Sequence, residues 1–239
     1  MVNLGANMVA ETGVPFGIVP SGTGNDMARA LGIPYNDTDV AIRMLVDALE
    51  RPARPIDAGR ITHIDDSTGL EKQTWFACMV SAGFDAIVNE RANHMRWPKG
   101  PRRYILALGI ELARLRTIKY SIEIDGVRSD RPAALVSVGN GPSLGGGMKV
   151  TPNAVLDDGL FDVLVVEPLS RLAFMRIFPK VYKGEHLKDP RVTVQHGKRV
   201  RISAEGVSAY GDGERLGPLP IDIELVQGAL TVLSPPVAG

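Results

Sequence analysis

Cysteine is nearly missing from this sequence. Cys78 stands alone among 239 residues, so an internal disulfide is excluded. Its setting, Trp75-Phe76-Ala77-Cys78-Met79-Val80, is apolar, which favours a buried strand over a reactive thiol. Net charge is missing too. With 27 Lys and Arg against 27 Asp and Glu, no global field draws the chain to nucleic acid or anionic lipid, and any such contact must be local. No apolar run is long enough to cross a bilayer, and Met1-Val2-Asn3-Leu4 lacks the basic start of a signal peptide. A cytoplasmic location is therefore the expectation. His63, His94, His186 and His196 lie apart without cysteine partners, which argues against zinc, and no G-x-S-x-G elbow supports a serine hydrolase. Internal repeats and low-complexity tracts are also absent. What is left is the composition of an ordinary soluble protein, 44% hydrophobic and 23% charged, long enough for one large domain or two small ones.

The most informative stretch that is present is Ile18-Val19-Pro20-Ser21-Gly22-Thr23-Gly24-Asn25-Asp26. It reads as a strand end, a glycine-spaced turn and a helix start. Gly22 and Gly24 let a ligand approach the backbone closely. Ser21 and Thr23 add hydroxyls, and Asn25 is suited to cap a helix beginning at Asp26. Amides at such a start favour anions. Taken alone, the turn is as readily a plain capped connection.

Around this turn the chain divides near residue 55. Before it, a short helix over Leu4 to Val9, a strand at Phe16 to Val19, the helix from Asn25 and another from Asp37-Thr38-Asp39 form a fragment of an α/β layer. One strand cannot make a sheet, so this fragment needs partners. After it, short strands dominate: Trp75 to Ser81, Tyr120 to Ile124 ending on the hairpin signal Asp125-Gly126, Ala133 to Val138, Leu160 to Val166, Val192 to Val194 and Val200 to Ser203. Ile221 to Leu225 and Ala229 to Leu233 read as a pair around Gln227-Gly228. Helices over 102–116 and after Pro168 interrupt the strands. The predicted class is α/β plus all-β, with a partial nucleotide-binding α/β domain at 1–54 and a larger β-sandwich-like domain at 55–239, whose last strands are free to return to the first domain.

The run Pro20-Ser21-Gly22-Thr23-Gly24-Asn25-Asp26-Met27-Ala28-Arg29 resembles the P-x-G-T-x-N-D-h-A-R signature of the diacylglycerol kinase catalytic family, and the chain is similar to its soluble bacterial lipid kinases. Four further segments follow in family order: Ser81-Ala82-Gly83-Phe84-Asp85-Ala86; Gly139-Asn140-Gly141 with Gly145-Gly146-Gly147-Met148; Thr151 to Leu160, containing Asp157-Asp158-Gly159; and Asp212-Gly213-Glu214. These kinases carry a G-G-D-G-T motif just before the position of this chain's first helix. Its absence here leads to the expectation that the first half of the nucleotide-binding domain is lacking and that this chain alone is weakly active or inactive.

The resemblance implies an enzyme that uses ATP and Mg²⁺ to phosphorylate a hydroxyl of diacylglycerol or a related lipid, in phospholipid metabolism. Phosphoryl transfer needs charge neutralisation, alignment and a base for the attacking hydroxyl. By resemblance Ser21, Gly22, Thr23, Gly24, Asn25 and Asp26 hold nucleotide phosphate, with Thr23 the best-placed side chain. Glu214 accepts the proton, and Asp212 shares or supports that role. The Val155 carbonyl, the Asp158 carboxylate and the Leu160 carbonyl bind a structural Mg²⁺, a hard cation that favours oxygen ligands. Taken alone, Asp212-Gly213 is a solvated hairpin turn, and Asp157-Asp158-Gly159 a turn into a strand. The expected partner is a diacylglycerol-like lipid and not nucleic acid. Peripheral contact with the inner membrane surface, suggested by His94 to Arg103 around Trp97, and a homodimer stay open, the former against a solvated basic loop. Two other functions also stay open: a kinase for a sphingoid base or another long-chain alcohol, and a silent lipid-binding or regulatory module.

Overall fold

Strand pairing builds two sheets of seven and six strands, antiparallel except for one parallel pairing. A computed structural model describes residues 2–22, 24–95, 97, 106–107, 110–111 and 117–236. Helix α1 (Val2–Val9), strand β1 (Pro15–Gly17), helix α2 (Asp26–Ala30) and helix α3 (Thr38–Ala48) come first. Then follow β2 (Arg54–Ile64), β3 (Glu71–Phe76), β4 (Met79–Gly83), helix α4 (Phe84–His94), β5 (Ile118–Ile124), β6 (Val127–Ala133), β7 (Leu135–Gly139) and β8 (Phe161–Val166). Helix α5 (Arg171–Ile177), β9 (Val192–Gly197), β10 (Arg199–Ser203), β11 (Ser208–Gly211), β12 (Glu214–Pro218) and β13 (Ile221–Leu233) complete it. The predicted helix over 102–116 falls mostly outside the described residues.

The first sheet runs β3-β2-β13-β10-β5-β6, and the second β12-β11-β4-β7-β8-β9. The first half of β13 is written in alternation: Ile221, Ile223 and Leu225 are buried while Asp222 and Glu224 are exposed. Ile61, Phe76, Ile122, Ile202 and Ile221 of the first sheet pack against Val80, Val138, Phe161 and Val163 of the second, making a sandwich core. A second core, with Ala6, Met27, Ile33, Ile56, Met79 and Leu230, ties the N-terminal helices to the same strands.

Two strand expectations are corrected. Trp75 to Ser81 is not one strand: it breaks at Ala77-Cys78, and β3 and β4 belong to different sheets. Ile221 to Leu225 and Ala229 to Leu233 are not a hairpin. They run on as β13, 13 residues long, with a register shift between Val226 and Leu230 where it pairs with β2. The irregularity is a bulge, with Gly228 at φ 62°. The far end of β13 pairs in parallel with β1, Pro15 opposite Thr231 and Gly17 opposite Leu233. This strand gives the N-terminal fragment its sheet partner.

Helix starts follow local chemistry. Asp37 caps α3 by accepting the Val40 amide at 3.0 Å, and the Ser170 hydroxyl caps α5 by accepting from Ala173 at 3.2 Å. Asn25 does not cap α2; its side chain turns back to Gly22 instead. Gly59 in β2 leaves room for a ring, since a Cβ there would lie 1.9 Å from Phe76. Gly59→Ala is expected to cost about 1–3 kcal/mol by overpacking the buried Phe76, read as a shift in the urea unfolding midpoint at unchanged slope.

Candidate active site

The hairpin between β11 and β12 turns on Asp212 and Gly213, at φ 47° and 88°. Positive φ at both central residues is what a two-residue hairpin requires, and Asp-Gly supplies it at low strain. The Asp212 carboxylate points away from the turn. It accepts the amides of Ala77 at 2.7 Å, Cys78 at 3.0 Å and Met79 at 2.9 Å, and the Asp212 amide donates to the Met79 carbonyl at 2.9 Å. These are the amides freed where β3 breaks from β4. Burial pushes the Asp212 carboxyl pKa up, the three amides pull it down, and the nearby charge of Asp26 raises it further. Glu214, two residues on, is exposed, and its side chain has no hydrogen bond or ion pair among the described residues.

The glycine turn reaches the same place from the other end of the chain. Asn25 braces it, accepting the Gly22 amide at 3.1 Å and donating to the Gly22 carbonyl at 2.9 Å. That amide is therefore occupied within the turn. Asp26 reaches outward: its carboxylate accepts Gly146 at 2.9 Å and Gly147 at 2.8 Å, binding α2 to the triple-glycine loop. Met27 meets the Cys78 thiol sulfur to sulfur at 3.4 Å. Burial, then the charges of Asp212 and Asp26, pushes the Cys78 thiol well above its ordinary value, so it is an inert packing group. Asp26, Cys78 and Asp212 thus form one neighbourhood. Thr23 lies outside the described residues; Ser21 and Gly22 are exposed, and Gly24 is half-buried.

Beside this neighbourhood lies an open cavity of about 670 Å³, whose lining includes Arg29, Tyr35, Ser143, Gly147 and Lys149. Arg29 is held over the Tyr35 ring at 3.7 Å and donates to the Gly24 carbonyl at 3.3 Å, so a cation is fixed between the glycine turn and the cavity.

The Val155–Leu160 loop is built by carboxylates. Asp57, buried in β2, accepts the amides of Gly159 at 2.7 Å and Gly228 at 2.9 Å, which joins this loop to the β13 bulge. Asp157 pairs with Arg54 at 2.8 Å. Asp158 accepts the Leu160 amide on one oxygen at 3.0 Å, and the other has no hydrogen bond among the described residues. The described residues gather no group of three His, Cys, Asp or Glu for a metal, so a cation here depends on main-chain carbonyls beside one carboxylate. Asp158 stands near Asp162, whose carboxyl burial pushes up; the His196 interaction lowers it and the Asp158 charge raises it. Asp57 had escaped the sequence reading. Its one signal was a charge inside Ile56-Asp57-Ala58. Asn140 of Gly-Asn-Gly is likewise a brace, donating to the carbonyls of Asp57 at 2.8 Å and Ala77 at 2.9 Å.

Arg215, just after Glu214, clamps the hairpin: it pairs with Asp66, reaches Glu90 of α4 at 3.4 Å and donates to the Ser208 hydroxyl at 2.9 Å. Tyr210 in β11 is buried, and desolvation, then the Glu90 charge, pushes its phenol up to about 12. Its folded pKa lies above the ordinary value of 10.0, so its contribution to stability is full below pH 10 and is lost as pH rises towards 12. Tyrosinate absorbance of the native protein is therefore expected to show a component near pH 12 that Tyr210→Phe removes.

The chain is similar in sequence and fold to known proteins. The diacylglycerol kinase catalytic domain matches residues 1–61, and the YegS C-terminal NAD kinase beta sandwich-like domain matches residues 78–234. A diacylglycerol kinase of Mycobacterium tuberculosis (strain ATCC 25618 / H37Rv) is 39% identical over 236 residues, 98% of this chain and 74% of that protein. One of Bacillus subtilis (strain 168) is 29% identical over 209 residues, 86% of this chain and 64% of that protein. Among solved structures, a diacylglycerol kinase of Bacillus anthracis str. Sterne aligns at a TM-score of 0.65 with 25% identity, covering 94% of this chain and 68% of that one. A yeast NADH kinase, at a TM-score of 0.52 and 14% identity over 97% of this chain and 57% of that one, shares the fold alone. By family match, identity and coverage, the chain belongs to the diacylglycerol kinase family, a family of kinases that transfer a phosphoryl group to an alcohol.

Proposed function

We propose that this chain carries the acceptor-activating side of an ATP-dependent lipid kinase whose acceptor is diacylglycerol. The relatives named diacylglycerol kinase support the acceptor class. The reading is supported by a run of contacts from the hairpin to α2: Asp212 accepts the Cys78 amide at 3.0 Å, and the Cys78 thiol meets Met27, beside Asp26, at 3.4 Å. The family matches, 1–61 and 78–234, support a division close to 1–54 and 55–239.

Each residue then has a distinct task. Asp212 uses its lone pairs on three amides, which leaves it poorly placed to take a substrate proton. It is the brace. Glu214 is free to accept the proton of the attacking hydroxyl as the oxygen closes on phosphorus. The turn around Ser21, Gly22, Thr23, Gly24 and Asn25 would hold nucleotide phosphate, Asp26 fixes it against the Gly146-Gly147 loop, and Arg29 sets a positive charge next to it. Mg²⁺ would be held at the Val155 carbonyl, Asp158 and the Leu160 carbonyl. A divalent cation there would supply charge neutralisation to the loop, which Gly159 and Asp57 join to the β13 bulge.

Transfer of labelled phosphate from ATP to a panel of diacylglycerol, a sphingoid base and a long-chain alcohol tests the acceptor. Diacylglycerol is expected to lead in whatever transfer is measured; a leading sphingoid base or long-chain alcohol sinks the acceptor assignment. Glu214→Gln is expected to lower kcat by roughly 10²–10⁴-fold while leaving thermal stability unchanged, whereas Asp212→Asn lowers both activity and the melting temperature. Equal stability loss in the two variants would remove the division of labour. Mg²⁺ is expected to raise the melting temperature of the unsubstituted protein and not that of Asp158→Ala.

A further inference from the structure

Helix α5 runs on into two short helical turns, Phe178–Lys183 and Glu185–Lys188, joined at Gly184. Gly184 sits at φ 72°, and a Cβ there would lie 2.9 Å from Pro152, so only glycine lets the turns lie against the segment before Pro152. In that segment Leu144 and Met148 exchange both main-chain hydrogen bonds, at 3.0 and 3.1 Å. They close a small hairpin with Gly145, Gly146 and Gly147 at its tip. Three glycines offer no side chain to pack, so main-chain anchors must set where this tip stands.

The anchors lie at both ends. At the tip, Asp26 takes the Gly146 and Gly147 amides, and a Cβ on Gly147 would lie 3.6 Å from the guanidinium carbon of Arg29. At the base, the Thr151 hydroxyl donates to the Gly141 carbonyl at 2.8 Å, a tie within the loop itself. Two further ties are remote in sequence. The Lys149 amide donates to the Val181 carbonyl at 3.1 Å, and His186 Nε2 meets the Val150 carbonyl at 2.9 Å. A carbonyl only accepts, so the ring carries its proton on Nε2. His186 is 3% exposed, and its Nδ1 has no hydrogen-bond partner among the described residues. Burial holds its pKa below the ordinary value, against the pull of the Val150 bond. An apolar side chain would fill this volume without stranding a polar atom. What histidine adds here is the bond to Val150.

We infer that His186 is a positioning residue for the glycine turn: through Val150 it fixes the base of the triple-glycine hairpin, whose tip fixes Asp26 and with it the turn from Ser21 to Asn25. A hairpin loose at its base would carry its two amides off the Asp26 carboxylate or pull α2 along with them. Either movement displaces the turn. The inference rests on the lipid-kinase reading, in which that turn holds the phosphates of ATP.

Hydrogen exchange and steady-state kinetics on the full chain test it, with His186→Gln, His186→Leu and Gly184→Ala beside the unsubstituted protein. Glutamine can present an amide N–H where the ring presents Nε2–H; leucine cannot. Residues 145–148 are expected to exchange at least ~10-fold faster in His186→Leu and Gly184→Ala, and near the unsubstituted rate in His186→Gln, with β7 and β8 unchanged in all. The KM for ATP is expected to rise ~10-fold or more in His186→Leu, to recover in His186→Gln, and to leave the KM for a short-chain diacylglycerol unmoved. Melting temperatures check that each variant folds. Loss of a merely structural histidine would speed exchange in the sandwich strands as well and would not single out ATP. Glutamine behaving like leucine, or exchange at 145–148 that ignores the series, overturns the positioning role. Phosphoryl transfer whose KM for ATP ignores the series also overturns it and leaves the kinase reading standing. Exchange that follows the series in a protein with no phosphoryl transfer keeps His186 as the anchor of the turn and takes down the kinase reading.

Discussion

A carboxylate turned inward onto three backbone amides organises this molecule. Asp212 takes the amides of Ala77, Cys78 and Met79, which a continuous strand would have spent on its neighbours. Leaving such donors without partners away from water costs about 1–3 kcal/mol each, so the break between β3 and β4 is stable only with an acceptor inside it. A hydroxyl or amide side chain offers fewer lone pairs; an ionised carboxylate has enough for all three. The break lets the chain leave one sheet for the other at Ala77-Cys78. The same contact holds the tip of the β11–β12 hairpin, and so the position of Glu214.

The device recurs. Asp57 gathers Gly159 and Gly228, Asp26 gathers Gly146 and Gly147, and Asp125 gathers Lys198 and Arg199. In each case a buried or turn aspartate binds main-chain donors of a segment remote in sequence. Glycine-rich loops have little side chain to bury, so apolar packing cannot fix them. Charge-assisted bonds to their amides can. Three of these four staples converge on the glycine turn, the triple-glycine loop, the Asp157-Asp158-Gly159 loop and the hairpin. The sandwich core supplies the stability, and the aspartates set the relative placement of the loops that carry the chemistry.

This division explains what could be read from residues alone. Alternation marked β5 and the first half of β13, flanking turn residues marked β8, and Asp-Gly at 125–126 and 212–213 marked two hairpins, because these signals are local. The capping aspartate of α3 was local as well. The failures involve acceptors far away in sequence. Trp75 to Ser81 looks like one strand because nothing near it announces that Asp212, more than 130 residues on, will claim its amides. Gln227-Gly228 looks like a turn because glycine at positive φ suits a turn and a bulge equally, and Asp57 decides for the bulge. Asn25 looks like a cap, yet a better use of its amide lies in closing the turn on Gly22.

The same accounting separates two acids that the motif presents as equivalents. A base must have a lone pair free at the moment of proton transfer and must be able to approach the substrate oxygen. Asp212 fails the first condition in the folded state, since moving its carboxylate would strand three amides and open the junction of the two sheets. In the proposed reading Glu214 would meet both, since its side chain is exposed and unpaired among the described residues while its backbone is pinned on both sides. Asp212 holds one flank, and Arg215 holds the other through Asp66 and Glu90. An unpaired carboxylate on a pinned backbone keeps its reach without losing its aim, which would suit the base proposed above.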